Sequence, residues 1–293
     1  MYSRSLKERR VLLKNELHSE VCTPAIGVYD VISARLVEQA GFPVAYIGSY
    51  AVAASTLGEP DTGLNSLNDI VEQAKLIADA VNIPLIADAE GGFNRPANIW
   101  RTIRDFERAG ACAIHIEDHV FGKHTEFPMI LSDINIMCNK IRASVDARED
   151  DNFLIIARTE AYYAYKDRKR CDEETVERCN KYLEAGADAV FISTIHSAET
   201  MKEIRKQING PVVIPASTQS AESIHQEVGI NMALYWQFCL YAAYVGCKEA
   251  LTKFKEHLDY RDLGKYIFDE KEFNKTINYA AFLDRIKKYG LED

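Results

Sequence analysis

Residues 106–118 read FERAGACAIHIED: an amphipathic run that stops at Ala109-Gly110, then an apolar strand that ends on two acids. The same order recurs at 37–48 as VEQAGFPVAYIG and at 182–193 as YLEAGADAVFIS. In each copy a glycine (Gly41, Gly110 or Gly186) suits the left-handed turn that closes a helix. The branched and aromatic residues after it have the character of a strand buried on both faces. Five further apolar runs lie at helix-length spacing: TPAIGV (Thr23 to Val28), IPLIAD (Ile83 to Asp88), FLIIAR (Phe153 to Arg158), PVVIPA (Pro211 to Ala216) and NMALYW (Asn231 to Trp236). Eight short strands alternating with helices over about 250 residues predict an α/β fold, a (β/α)8 TIM barrel. The doubly wound alternative lacks its signature, because no G-x-G-x-x-G follows the first strand.

Residues 1–20 read as a charged N-terminal helix, and 248–293 as a C-terminal helical extension with two apolar faces and no strand. The chain is thus read as a single barrel domain, 1–293, with helices left over at its end. A neighbouring subunit is a natural cover for their apolar faces, and the chain's own barrel is an equal alternative. The 293 residues are 47% hydrophobic and 27% charged, an ordinary globular composition, and 35 basic against 44 acidic residues leave a net charge of −9. Such a balance offers no field for nucleic acid or an anionic membrane. The most apolar stretch, 232–247, contains Gln237 and is shorter than the roughly 20 residues of a membrane span. Seven scattered cysteines without a C-x-x-C pair suggest neither a zinc module nor a disulfide framework, and fit a cytoplasmic protein.

In a barrel, the residues that follow each strand line the catalytic face. That rule selects Gly48 and Ser49, Asp88 and Glu90, Glu117 and Asp118, Arg158 and Glu160, Ser193, and Ser217. Four carboxylates on two adjacent strand ends repel one another unless a positive charge sits between them. An oxygen-rich donor set without a paired His or Cys favours a hard ion, Mg2+ or Mn2+. Asp118 is equally readable as pointing away from the group. The segment DAEGGFNRP (88–96) has glycines that allow close backbone approach but lacks the Lys-Ser/Thr of a phosphate loop. Two longer connections, 49–69 and 119–133, are candidate lids over the mouth.

Together GVYDVISARLVEQAGF (27–42), LGEPDTGL (57–64), PLIADAEGGF (84–93), IED (116–118) and IIARTEA (155–161) resemble, in order, the isocitrate lyase and phosphoenolpyruvate mutase superfamily. The similarity is greatest to its short members, the methylisocitrate lyase-like and carboxyphosphonoenolpyruvate mutase-like proteins. The resemblance implies metal ligation by Asp88 directly and by Glu90 and Glu117 through water. It implies a gating aspartate at Asp61, a carboxylate-binding arginine at Arg158, and a tyrosine at the strand-two end at Tyr46. Gly48, Ser49 and Tyr50 match the segment whose backbone N–H groups hold a carboxylate or oxyanion. It further implies a helix-swapped dimer within a homotetramer.

Lyases of the group carry K-[KR]-C-G-H in the loop after IED, with an acid–base cysteine. Here the loop reads Lys123-His124-Thr125-Glu126-Phe127, so that Lys123 is kept and Thr125 replaces the thiol. Ser193 and Ser217 stand where the lyases have Glu and Asn. The reading is a Mg2+-dependent (or Mn2+-dependent) lyase that cleaves a C–C bond of a small 2-oxo or 2-hydroxy carboxylic acid through an enolate, oxaloacetate decarboxylase-like or alkylmalate lyase-like. The alternatives are P–C bond chemistry on the same scaffold and a non-catalytic metabolite-binding barrel.

Overall fold

The computed structural model describes residues 4–93, 96–121, 128–194, 197–216, 226–266 and 269–291. It falls into two compact units, 1–237 and 238–293. Lys123 and Ser217, with Thr125 and the rest of the loop 122–127, lie outside the described residues.

The first unit is a closed parallel barrel of eight strands: β1 Thr23–Val28, β2 Val44–Ile47, β3 Leu85–Asp88, β4 Ala113–Glu117, β5 Leu154–Thr159, β6 Ala189–Ile192, β7 Val212–Pro215 and β8 Met232–Tyr235. These are the eight runs picked out in the sequence, each hydrogen-bonded to its neighbours in chain order, with β1 closing onto β8. The three Ala-Gly stops behave as read. Gly41, Gly110 and Gly186 have φ of +85°, +90° and +106°, where any Cβ would be strained. Closure makes its own demand at Gly27, since a Cβ there would sit 2.1 Å from the Trp236 carbonyl oxygen.

Alternation along the strands sends Tyr46, Ile86, Ala113, Ile156, Phe191, Val213 and Leu234 into the barrel interior, where Leu13 and Leu17 of the N-terminal helix Leu6–Leu17 join them. That helix starts on a capping box, with Ser5 and Glu8 each accepting the other's backbone N–H. Register then decides which strand-end residues are neighbours: Asp88 lies beside His115, and Glu117 beside Arg158.

The second unit contains helices Phe238–His257, Glu270–Thr276 and Tyr279–Tyr289, with a 3-10 segment Tyr260–Tyr266. The first of these begins ten residues before Lys248, has no buried residue, and exposes Phe238, Tyr241, Tyr244, Val245 and Leu251. Among the described residues no helix is long and apolar enough to cross a membrane.

Candidate active site

The mouth of the barrel is assembled mainly from β2, β3, β4 and β5. After β2, Gly48 caps the short helix Ser49–Val52, which runs into a wide π-helical turn at Ala53–Leu57. Much of the first candidate lid is therefore helical. A Cβ on residue 48 would lie 3.0 Å from the Tyr46 hydroxyl, so glycine lets the backbone rest on that ring. Ser49 ties this corner together: its hydroxyl donates to Asp88 Oδ2 (2.9 Å) and approaches Asp61 Oδ2 (3.1 Å), while its N–H donates to Asp88 (3.2 Å). Asp61 is thereby drawn in and buried, 4% exposed, within the connection read as a lid. Tyr50 packs edge-to-face on Trp236, with ring centroids 5.1 Å apart.

β3 ends in a strained turn. Glu90 has φ +49° and Phe93 φ +52°, a region that side-chain-bearing residues seldom occupy. Several bonds hold it there: Glu90 N–H donates to Asp88 Oδ1 (2.8 Å), Glu117 N–H to the Glu90 carbonyl (2.9 Å), and Lys140 Nζ to the Gly91 carbonyl (2.7 Å). Burial lowers the Lys140 pKa, against the pull of Asp118 and Glu117 in the other direction. Backbone strain sustained by surrounding structure is characteristic of functional turns. Here it brings Glu90 to Glu117.

β4 and its continuation, HIEDH (115–119), supply the centre. Extended backbone turns alternate side chains to opposite sides. His115, Glu117 and His119 belong to one set, and Asp118 to the other. The fully buried Glu117 carboxylate has Oε1 3.1 Å from His119 Nδ1 and Oε2 3.2 Å from Arg158 Nε. Donor atoms of Glu90, Glu117 and His119 all lie within 4.8 Å of one another, the spacing of a metal-binding group. Asp88 stands next to this group rather than in it, with its oxygens on Ser49 and the Glu90 N–H and Oδ1 3.6 Å from His115 Nδ1. His115 is fully buried, and its Nε2 shares a 3.0 Å hydrogen bond with the Tyr46 hydroxyl. Tyr46 and His115 are thus hydrogen-bonded beneath the mouth, with Asp88 beside the imidazole.

Asp118 is spent elsewhere. It accepts from the Thr159 hydroxyl (2.8 Å), Glu160 N–H (2.9 Å), Tyr182 hydroxyl (2.7 Å) and Arg178 (3.2 Å), a network that staples β4 to β5. β5 contributes Arg158, paired with Glu160 at 2.5 Å and stacked over Phe191 at 4.9 Å. Burial opposes the Arg158 charge, but Glu160, Glu117 and Asp88 outweigh it and hold the guanidinium protonated well above its ordinary value. Glu160 moves the other way. Burial raises its pKa, Glu117 and Asp118 raise it further, and Arg158 offsets only part. Ser193, also a strand-end residue, is buried, with its N–H on the Thr159 carbonyl (3.3 Å).

The structure therefore brings Tyr46, Gly48, Ser49, Asp61, Asp88, Glu90, Glu117 and Arg158 to one end of the barrel, with Ser193 following β6. The strand-end rule missed His115, which lies inside β4, and His119, which opens the next short strand. The H-x-E-x-H alternation through 115–119 was the available signal.

Three comparisons bear on this geometry. A family model described as phosphoenolpyruvate phosphomutase matches residues 13–255. Among curated proteins, the 2,3-dimethylmalate lyase of Eubacterium barkeri is 35% identical over 239 residues, covering 79% of this chain and 81% of that protein. The chloroplastic carboxyvinyl-carboxyphosphonate phosphorylmutase of Arabidopsis thaliana is 31% identical, covering 90% and 80%. Among solved structures, a phosphonopyruvate hydrolase in complex with oxalate and Mg2+ superposes with a TM-score of 0.86 at 28% identity, covering 96% of this chain and 99% of the other.

Proposed function

The chain belongs to the phosphoenolpyruvate phosphomutase family, within the isocitrate lyase superfamily; from that premise we propose that it is a lyase that cleaves a carbon–carbon bond of a small 2-oxo or 2-hydroxy carboxylic acid with Mg2+ or Mn2+ as cofactor. The observation that carries the proposal is the gathering of buried Asp88, Glu90 and Glu117 at the barrel mouth, with Glu117 paired to Arg158. Buried carboxylates at this density match the oxygen-donor chemistry of a hard divalent ion, and the phosphonopyruvate hydrolase binds Mg2+ with oxalate.

Asp88, Glu90 and Glu117 would hold the ion, which when bound supplies Lewis-acid stabilisation of charge developing on the substrate. Arg158 is fixed by Glu160 and Phe191 with its charge intact, and would bind the substrate carboxylate as a planar donor. The Gly48–Ser49–Tyr50 segment would hold an oxyanion through its backbone N–H groups, the Ser49 N–H, which here donates to Asp88 (3.2 Å), turning to the ligand. Tyr46 would be oriented toward the mouth by the hydrogen bond between its hydroxyl and His115 Nε2 (3.0 Å). Asp61, held on Ser49, rides on the connection that closes over the mouth. Lys123, Ser193 and Ser217 complete the proposed contact set through the family positions they occupy.

The loop sequence narrows the substrate. Thr125 has no acidity near neutral pH and cannot serve as the lyase thiol does. Decarboxylation of an oxaloacetate-like acid, or cleavage of an alkylmalate, is therefore favoured over cleavage of methylisocitrate. A 1H and 31P NMR turnover screen with Mg2+ and oxaloacetate, 2,3-dimethylmalate, methylisocitrate and phosphonopyruvate tests this. Product from the first two supports the reading. Methylisocitrate turnover of about 1 s−1 or more, within the ordinary enzyme range, would overturn the loop inference. Phosphonopyruvate turnover alone would establish the second reading, P–C chemistry, which similarity to the phosphorylmutase favours.

The seven free cysteines support a reducing cytoplasm as the site of action. The exposed apolar residues of Phe238–His257 support a homo-oligomer, dimer or tetramer, in which this helix is covered by another copy. Light scattering on the full chain and on a Val245→Glu/Leu251→Glu variant tests it; a monomer in both would refute it.

A further inference from the structure

We propose that His119 completes the donor set with its Nδ1, making the site selective for a first-row transition ion such as Mn2+ or Co2+ over Mg2+. The inference rests on the metal-site reading above and adds to it a nitrogen donor. Its geometric basis is the separation of His119 Nδ1 from Glu117 Oε1, 3.1 Å. Two ligands at adjacent positions of an octahedral ion with bonds near 2.1 Å lie about 3 Å apart. Nδ1 is buried, and among the described residues it makes no hydrogen bond of acceptable direction, the nearby carboxylate notwithstanding. The two atoms are close without being aligned on one another. An ion bound to both, about 2.1 Å from each, would fit that arrangement, and Glu90 closes the triangle within 4.8 Å.

The local fold makes His119 a fixed donor. It opens the short strand His119–Phe121, in register with Leu131 of the strand Ile130–Leu131. The preceding residue is pinned on both sides, with Asp118 N–H on the Arg158 carbonyl (3.1 Å) and the Ser132 N–H on the Asp118 carbonyl (2.6 Å). With Asp118 committed to Arg178 and Tyr182, alternation delivers His119 to the Glu117 side. An imidazole nitrogen adds little to the binding of Mg2+, which prefers oxygen and water, but favours Mn2+, Co2+ and later ions in rising order.

The experiment loads purified full-length protein with Mn2+ alone and records pulsed EPR, then titrates Mn2+, Co2+ and Mg2+ calorimetrically into wild type, His119→Gln and His119→Asn. Expected is a directly bound 14N coupling in the wild type that both variants lose. The preference for Co2+ over Mg2+ should also fall about tenfold or more in the variants, the size of effect seen when a metal-site partner is removed. Bound Mn2+ without a nitrogen coupling in the wild type overturns the proposal while leaving the metal site standing, and requires no variant. A coupling that survives in both variants assigns the nitrogen to His115 and equally overturns it. Absence of any Mn2+ binding in the wild type removes this inference together with the metal reading beneath it.

Discussion

The two ends of the barrel use the same residue types to opposite effect. At the bottom, Arg10 of the N-terminal helix bridges Glu107 (3.1 Å) and Asp150 (3.0 Å), donates to the Glu107 carbonyl, and lies 5.3 Å over Phe153. Arg9 beside it donates to the Ala78 and Val81 carbonyls. Glu107 takes the Glu149 and Asp150 N–H groups with its oxygens. Buried charge there is matched and the cluster is closed. At the top, buried Asp88, Glu90, Glu117 and Glu160 crowd the mouth, with Arg158 paired to Glu117 and Glu160, and the Glu160 pKa is raised, by burial first and by Glu117 and Asp118 after it. A closed ion network serves stability. Carboxylates crowded at a barrel mouth are placed to meet a cation or a substrate.

That contrast can be broken most visibly at Glu117. Glu117→Gln should reduce turnover about 10²- to 10³-fold and remove the Mn2+ site seen by EPR. With chelator present, its melting temperature should equal or exceed that of the wild type. A large loss of stability would mean that the mouth is a structural network like the bottom.

Arg10→Ala should do the reverse. It leaves Glu107 buried without its partner, which typically costs about 3–5 kcal/mol, or on the order of 10 °C in a chain of this size. Mn2+ affinity should not change. Urea unfolding and an EPR titration of the same preparation measure both halves.

Asp118→Asn sharpens the comparison within a single strand end. Its ties to Arg178, Tyr182 and Thr159 predict a loss of roughly 2 kcal/mol, the scale of a charged hydrogen bond, with Mn2+ still bound. If Mn2+ binding is lost while stability is kept, Asp118 belongs with its neighbour Glu117 after all.

The smallest effect is expected from Asp150→Asn. Burial raises the Asp150 pKa, but hydrogen bonds from Asn152 and Arg10 outweigh it and the net shift is downward. A lowered folded pKa stabilises above the usual carboxylate value near 4, and that stability is lost as pH falls through the folded value. The variant should therefore be about 1 kcal/mol less stable at pH 7, with the gap closing below about pH 4. Thermal melts at pH 7 and pH 3 would show it; a gap that widened in acid would contradict the sign.

Much of this was legible in the sequence, because barrel strands and helix stops are local matters. Period, β-branching and the Ala-Gly stops need no distant partner to be read, and all eight strands lie where those signals put them. The acids that close β3 and β4 and the arginine next to the end of β5 follow from strand ends alone, since every β-to-α exit of a closed parallel barrel opens on one face. Which acids face one another is a matter of register between strands distant in sequence. Asp88 meets His115, and Glu117 meets Arg158, only because β3, β4 and β5 are shifted as they are. Alternation sends Asp118 away to Arg178, sixty residues further on, and leaves Glu117 with His119. The sequence by itself determined the elements and the end of the barrel at which chemistry occurs; tertiary structure alone decided which charges are closed off and which remain to meet a ligand, because burial and pairing are properties of surroundings that no single segment carries.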